Sequence, residues 1–235
     1  GGEFLQMSSP LLDVESKKTG AAEAENWRTH VGVNPAFACL AHAKRVLMLQ
    51  GPVGPFFDRI SDWLIRRGSQ VERVVFQGGD EEDCKAVKPI PFRQPSVQWP
   101  AFLARLLNTY RPDCIVLFGQ MRFYHKVALE RARAIDLPVI VMEEGYFRPG
   151  FVTMELWGVN GYSATLDRFA WASEDGNAAH DKPIAPELSR MHFQKMAWHA
   201  SQHYIAMRKR HHRYPHYQHH RTDNLAYYAT YWVRS

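Results

Sequence analysis

Four hydrophobic runs, RVLMLQ from Arg45, QVERVVF from Gln70, CIVLFG from Cys114 and PVIVME from Pro138, each end on a cluster of glycine and polar residues. Those clusters are GPVGPFF at 51–57, QGGD at 77–80, GQMR at 119–122 and EEGYFRPG at 143–150. In an open α/β sheet, ligands bind outside the carboxyl ends of the strands, so four such endings in series describe a site as well as a fold. Between the runs lie helical patterns. Phe57, Ile60, Leu64 and Ile65 recur at helical spacing over 56–67, with Gly68 as the stop, and further helices are expected over 99–110 and 123–135. Strands alternating with helices predict an α/β fold, a Rossmann-like parallel sheet with right-handed crossovers, flanked by helices.

The expected organisation is a tag remnant and flexible extension over 1–43, a Rossmann-like domain over 44–182 and a helical basic segment over 183–235. GGEFLQ before Met7 reads as a vector remnant, and the stretch up to Ala43 has no clear period. FVTMELWGVNGYSA, 151–164, reads as an ordered loop or short hairpin. A helix is expected from Pro186 to about His211 and a shorter one over 224–234.

A hydrophobic fraction of 46% is ample for a core, and 29 Lys+Arg against 24 Asp+Glu give a net charge of +5. That excess suits nucleotides, phosphates or acidic lipid head groups as partners, or serves solubility alone. Cys39, Cys84 and Cys114 are far apart with no CxxC pair, which fits a reducing cytoplasm. No stretch approaches the ~20 apolar residues that span a bilayer, so membrane contact is expected to be peripheral.

Each cluster admits two readings. Gly51, Pro52, Gly54 and Pro55 either let an anion approach the backbone at a helix N-terminus or simply make a tight turn. Gly78 and Gly79 are expected at positive φ with Asp80 capping the next segment, a turn more readily than a site. Arg122 and His125, three apart on one predicted helical face with Lys126 beside them, either meet one anionic group or begin a solvated helix. Glu143 and Glu144 stand where a buried strand meets a glycine turn. A desolvated and a paired carboxylate suit a nucleophile or general base; the alternative is a capping residue and an ion pair with Arg148.

RKRHHRYPHYQHHR, 208–221, holds five Lys/Arg and five His. Adjacent histidine pairs among cations, with no interleaved carboxylate or cysteine, argue against a metal site. Arg208, Lys209, Arg210, Arg213 and Arg221 suit an anionic surface, or form a solvated linker. Tyr214 and Tyr217 leave single-stranded nucleic acid as a further possibility.

Taken in order, QGPVGPFF, FQGGD followed by Cys84, FGQMR followed by His125 and Lys126, EEGYFRP, Thr153 with Glu155, GVN at 158–160 with Ser163, and the terminal HHR and WVR resemble one family. It is the capsular polysaccharide biosynthesis family of Gram-negative bacteria. The resemblance implies a retaining β-Kdo glycosyltransferase related to the GT-B architecture, using CMP-Kdo to start an oligo-Kdo linker on a phosphatidylglycerol-type lipid. It also implies work at the cytoplasmic face of the inner membrane, within a capsule assembly and export complex. No cofactor beyond the donor and no metal is implied.

A strand-end Glu-Asp-Gly motif that carries a catalytic acid in related enzymes matches Glu143-Glu144-Gly145, which gives Glu144 the nucleophile role and Glu143 or His125 the acid/base role. Tyr146, Arg148 and Asn160 join the substrate-binding set. Two departures stand out. Gln77 replaces the usual Asn of the Asn-Gly-Gly-Asp turn, and the Asp-Ser-Gln, His-Pro and Asn-Ser-Thr motifs of a donor-binding half do not occur in the sequence. The chain therefore reads as an acceptor-side half, expected to be inactive alone. The rival readings are a non-catalytic interaction module of the capsule assembly complex and a nucleic-acid-binding protein. For the leading reading no nucleic-acid partner is expected.

Overall fold

A computed structural model describes residues 34–144, 152–158 and 190–217, with side chains from 194 onward in the last stretch. Its centre is a six-stranded sheet in the order β3-β2-β1-β4-β5-β6. The strands are β1 (Arg45–Met48), β2 (Gln70–Val75), β3 (Ile90–Pro91), β4 (Cys114–Phe118), β5 (Val139–Glu144) and β6 (Val152–Leu156). Neighbours pair in parallel except β5 and β6, whose antiparallel register sets Glu143 opposite Thr153 and Glu144 opposite Val152. Of the segment expected to be an ordered loop or short hairpin, Val152–Leu156 is the antiparallel edge of an otherwise parallel sheet.

Period-two alternation assigns the two faces. Leu47, Leu49, Ile115, Leu117, Val139 and Val141 share one core cluster with Trp99, Leu103 and Leu107 of α4 (Trp99–Tyr110) and Ala128, Leu129 and Ala132 of α5 (Phe123–Arg133). The intervening residues meet α2 (Phe56–Arg66): Ser61 Oγ donates to Met48 Sδ at 3.3 Å, and the Phe57 and Phe118 rings lie 6.3 Å apart, edge to face. A sheet covered on both faces needs apolar side chains at successive positions, which is why CIVLF is buried throughout.

Punctuation is local. After α2, Gly68 at φ +86° lets its own N–H reach Ile65 O and the Ser69 N–H reach Leu64 O, the paired bonds of a Schellman stop. Asp113 Oδ2 accepts from the Lys44 and Arg45 N–H groups, both at 2.8 Å, and so sets the start of β1 against β4. Beyond β2 and β3, Phe76, Phe92, Trp99 and Tyr124 form an aromatic cluster, with Trp99 Nε1 donating to Tyr124 O at 3.0 Å. This ties the loops after β2 and β3 to α4 and α5.

Three features differ from the sequence expectation. Helix α1 (Pro35–His42) precedes the sheet, capped by Asn34 Oδ1 on the Ala36 N–H, within the span expected to be an extension. Residues 78–82 form a short helix, α3 (Gly78–Glu82), rather than a turn with positive-φ glycines. Gln77 caps it through Oε1 on the Gly79 N–H at 2.7 Å, while Asp80 reaches back to the Phe76 N–H. As far as Tyr217, the last described residue, the basic segment is not a solvated linker. It continues α6 (Arg190–Lys209), which packs on α3, and Arg210 and Arg213 pair with Glu82 and Glu81 at 2.9 Å each.

Glycine at 78 and 79 has a steric reason. A Cβ on Gly78 would stand 2.5 Å from the Ala206 carbonyl oxygen, and one on Gly79 would stand 2.5 Å from His203 Nε2. The two glycines serve helix–helix approach rather than ligand approach.

Candidate functional site

Going out from β1 the chain builds β2 and β3 on one side and β4 and β5 on the other, so the loops after β1 and β4 diverge at the topological switch point. A pocket lies there. Gln50, Gly51 and Val53 come from the loop after β1, Gln77 and Asp80 from the segment after β2, Arg122 from the loop after β4, and His203 and Tyr204 from α6. Its volume is about 40 Å³, against the ~300–1,000 Å³ of a whole small-molecule site. Its size matches a single small group rather than a whole ligand.

Arg122 supplies the cationic wall. Its Nη1 donates to the carbonyls of Gly51 at 3.1 Å and Gln50 at 3.4 Å, which holds the guanidinium across the mouth of the loop after β1. The turn before it needs glycine, since Gly119 sits at φ +72°. Val53, Met121 and Phe123 are exposed, so Arg122 is flanked in sequence by two apolar side chains and shares the pocket with a third.

The acidic wall is a closed network. Asp80 is buried and accepts from Gln50 Nε2 at 3.0–3.1 Å, Gln77 Nε2 at 3.0 Å and the Phe76 N–H at 3.1 Å. Burial pushes its carboxyl upward, opposed by the hydrogen bonds from Gln50 and the Phe76 N–H and by the Arg122 charge. Gln50 Nε2 also donates to Tyr217 Oη at 3.1 Å, and burial pushes that phenol upward too. Beyond Gln77 the network continues through His203 to Asp83, whose Oδ2 accepts from His203 Nδ1 at 2.6 Å and the Gly54 N–H at 2.9 Å.

Gly51, Asp80 and Arg122 of the sequence-derived set meet in the pocket. Gly51 packs so tightly on α2 that a Cβ would lie 2.7 Å from the Phe57 ring. Gly54, at φ +95°, and Pro55, the residue capping α2, shape the same loop, and Pro52 is half-buried in it. Lys126 is exposed on α5.

His125 is a correction to the sequence reading. It is fully buried, and its Nδ1 donates to the Gly119 carbonyl at 2.6 Å, which fixes the turn behind Arg122. Arg122 itself is extended, at φ −65° and ψ 142°, outside the helix, so the shared helical face assumed for the pair does not exist. Neither Glu143, half-buried, nor Glu144, exposed, lines the pocket; both stand at the carboxyl end of β5. Tyr146, Arg148, Asn160 and Arg221, and the helix expected over 224–234, lie outside the described residues.

Sequence reasoning missed Val53, Gln50, Gln77, Asp83, His203, Tyr204 and Tyr217. The two glutamines close their hydrophobic runs immediately before glycine, a visible signal. His203 offers none, because its partners lie 120 and 126 positions away.

The fold and site together define an α/β protein with a small, arginine-walled pocket at the switch point of its sheet. Comparison with known proteins then places it. Residues 113–235 match the family described as capsule polysaccharide biosynthesis protein. The chain is 35% identical to the capsule polysaccharide export protein KpsS of Escherichia coli over 203 residues, 85% of this chain and 51% of that one. It is 33% identical to the capsule polysaccharide modification protein LipB of Neisseria meningitidis serogroup B over 199 residues, 83% of this chain and 48% of that one. The chain belongs to the capsule polysaccharide biosynthesis family. It spans about half the length of these curated relatives. Among the described residues no helix is long and apolar enough to cross a membrane.

Proposed function

We propose that this chain is the acceptor-side half of a GT-B-like, capsule-initiating glycosyltransferase that moves β-Kdo from CMP-Kdo to a phosphatidylglycerol-type lipid at the inner membrane. The observation that carries the reading is Arg122, held across a phosphate-sized pocket at the switch point of a chain from the capsule family. A guanidinium beside a pocket of that size suits a phosphodiester, and the apolar side chains around it suit the lipid attached to it. The donor nucleotide belongs to sequence beyond this half.

In this reading Glu144 attacks the anomeric carbon, and the bond to the CMP phosphate oxygen breaks with its electron pair leaving on CMP. The acceptor hydroxyl then displaces Glu144, giving its proton to Glu143 as base. We assign the base to Glu143 in preference to His125, which is buried with its Nδ1 on the Gly119 carbonyl.

Steady-state kinetics of the full-length enzyme test the assignment of Arg122. Arg122→Ala is expected to raise KM for the phosphatidylglycerol acceptor by about 10- to 100-fold, the loss of a charge-assisted contact, with KM for CMP-Kdo unchanged. The reverse split would assign Arg122 to the donor and overturn the acceptor reading.

Arg208 and Lys209 are exposed, whereas Arg210 and Arg213 are committed to Glu82 and Glu81. Reversing the first two, Arg208→Glu with Lys209→Glu, should weaken sedimentation with anionic vesicles by about 1 kcal/mol or more per position. Equal sedimentation would show that the lipid surface is met elsewhere.

A further inference from the structure

The pocket's loop after β1 is held from outside the sheet, by a side chain that no sequence motif singles out. Gly54 sits at φ +95°, and its N–H donates to Asp83 Oδ2 at 2.9 Å. The backbone of Asp83 is fixed on the sheet side: its N–H donates to Gly79 O at 3.0 Å and its carbonyl accepts from Arg73 Nη1 at 3.1 Å. What remains to be set is the direction of its carboxylate, and His203 of α6 sets it through Nδ1 at 2.6 Å.

The tautomer is fixed by the donors around the ring. Gln77 Oε1 is occupied by the Gly79 N–H, so the Gln77 amide group that faces His203 Nε2 at 2.9 Å is the NH2. Nε2 therefore accepts, and Nδ1 carries the proton it donates to Asp83. The imidazole is buried at 5% exposure and lies against Gly79, where no side chain intervenes. One ring thus joins the segment after β2, through Gln77 and Asp80, to the loop after β1, through Asp83 and Gly54.

We infer that His203 is a positioning residue for the ligand pocket, acting through the Asp83 carboxylate to hold the Gly54 loop in its binding conformation. The inference rests on the reading of the switch-point pocket as a substrate site, while its structural half concerns the Gly54 N–H alone. Two amide variants separate the two nitrogens. In His203→Asn the side-chain amide stands where Nδ1 stands and keeps the donor to Asp83. In His203→Gln it reaches the position of Nε2, meets Gln77 and leaves Asp83 without its second donor.

The first readout is hydrogen exchange at the Gly54 amide in the full-length protein, which needs no ligand. Slow exchange is expected in wild type and His203→Asn, with exchange about 10- to 100-fold faster in His203→Gln, the worth of a hydrogen bond to a charged group. The second readout is KM for a phosphatidylglycerol acceptor, expected to rise about 10-fold in His203→Gln and to stay near wild type in His203→Asn.

Equal Gly54 exchange in all three proteins, or Asn behaving as Gln does, overturns the positioning role. Faster exchange in His203→Gln with KM unmoved keeps the clamp but overturns its link to ligand binding. Absence of turnover in the wild type counts against the substrate reading, and Gly54 exchange then decides His203 by itself.

Discussion

Gly79→Ala is expected to lower the thermal midpoint by about 10 °C, with Gly78→Ala close behind. Alanine in a helix is ordinarily better than glycine by ~1 kcal/mol, so local propensity alone predicts the opposite sign. Contact decides. The new methyl at 79 would meet three atoms of the His203 ring at 2.5–2.6 Å, and that ring is anchored at both nitrogens. At 78 the obstacle is backbone, the Ala206 carbonyl oxygen at 2.5 Å, with Arg210 Cβ at 2.7 Å.

Overpacking costs ~1–3 kcal/mol, and displacing His203 leaves buried polar groups short of partners at ~1–3 kcal/mol. Set against the ~1 kcal/mol gain, a net loss of about 3 kcal/mol is the expected size, or ~6–12 °C for a domain of this size. Chemical denaturation of both variants checks it. A gain in stability would mean that α6 does not rest on α3.

Glu144→Gln and Glu144→Ala are expected to lower Kdo transfer by about 10³-fold or more while the protein melts as the wild type does. The second half of that statement gives the first its meaning. Glu144 is exposed at the end of β5, and surface substitutions of that kind change stability by ~0.5 kcal/mol at most. Lost transfer then reports chemistry rather than folding. The glutamine variant keeps the shape and hydrogen-bonding reach of the side chain and removes only the charge that the proposed mechanism uses at the anomeric carbon. Retained transfer in both variants would return Glu143 and Glu144 to a structural role beside β6.

The sequence shows β1, β4 and β5 because strands covered on both faces must be apolar at successive positions, shows β2 by the apolar run at its buried end, and places a glycine after each that marks the loop. It hides β3, two residues long, and β6, whose half-exposed VTMEL keeps no alternation. It hides α3 for a different reason. Two glycines and an aspartate favour a turn, and the helix forms because Gln77 caps the Gly79 amide while α6 packs against its glycines. Arg122 could be named as an anion ligand from its place after β4. Its pairing with His125 on one helical face does not hold, because Arg122 is extended just before α5 begins at Phe123. His203 could not be named, since its role depends on bringing α6 over α3, a tertiary fact with no local trace.

In the proposed function this chain receives an anionic lipid over its strand ends for Kdo transfer. This is tested most directly by incubating the full-length protein and its Arg122→Ala variant with CMP-Kdo and a fluorescent phosphatidylglycerol analogue, and reading product mass. Addition of Kdo to the lipid by the wild type is expected, with a loss in the variant at limiting acceptor that returns as acceptor is raised. No lipid product from the wild type, or equal product from both proteins at limiting acceptor, would contradict it.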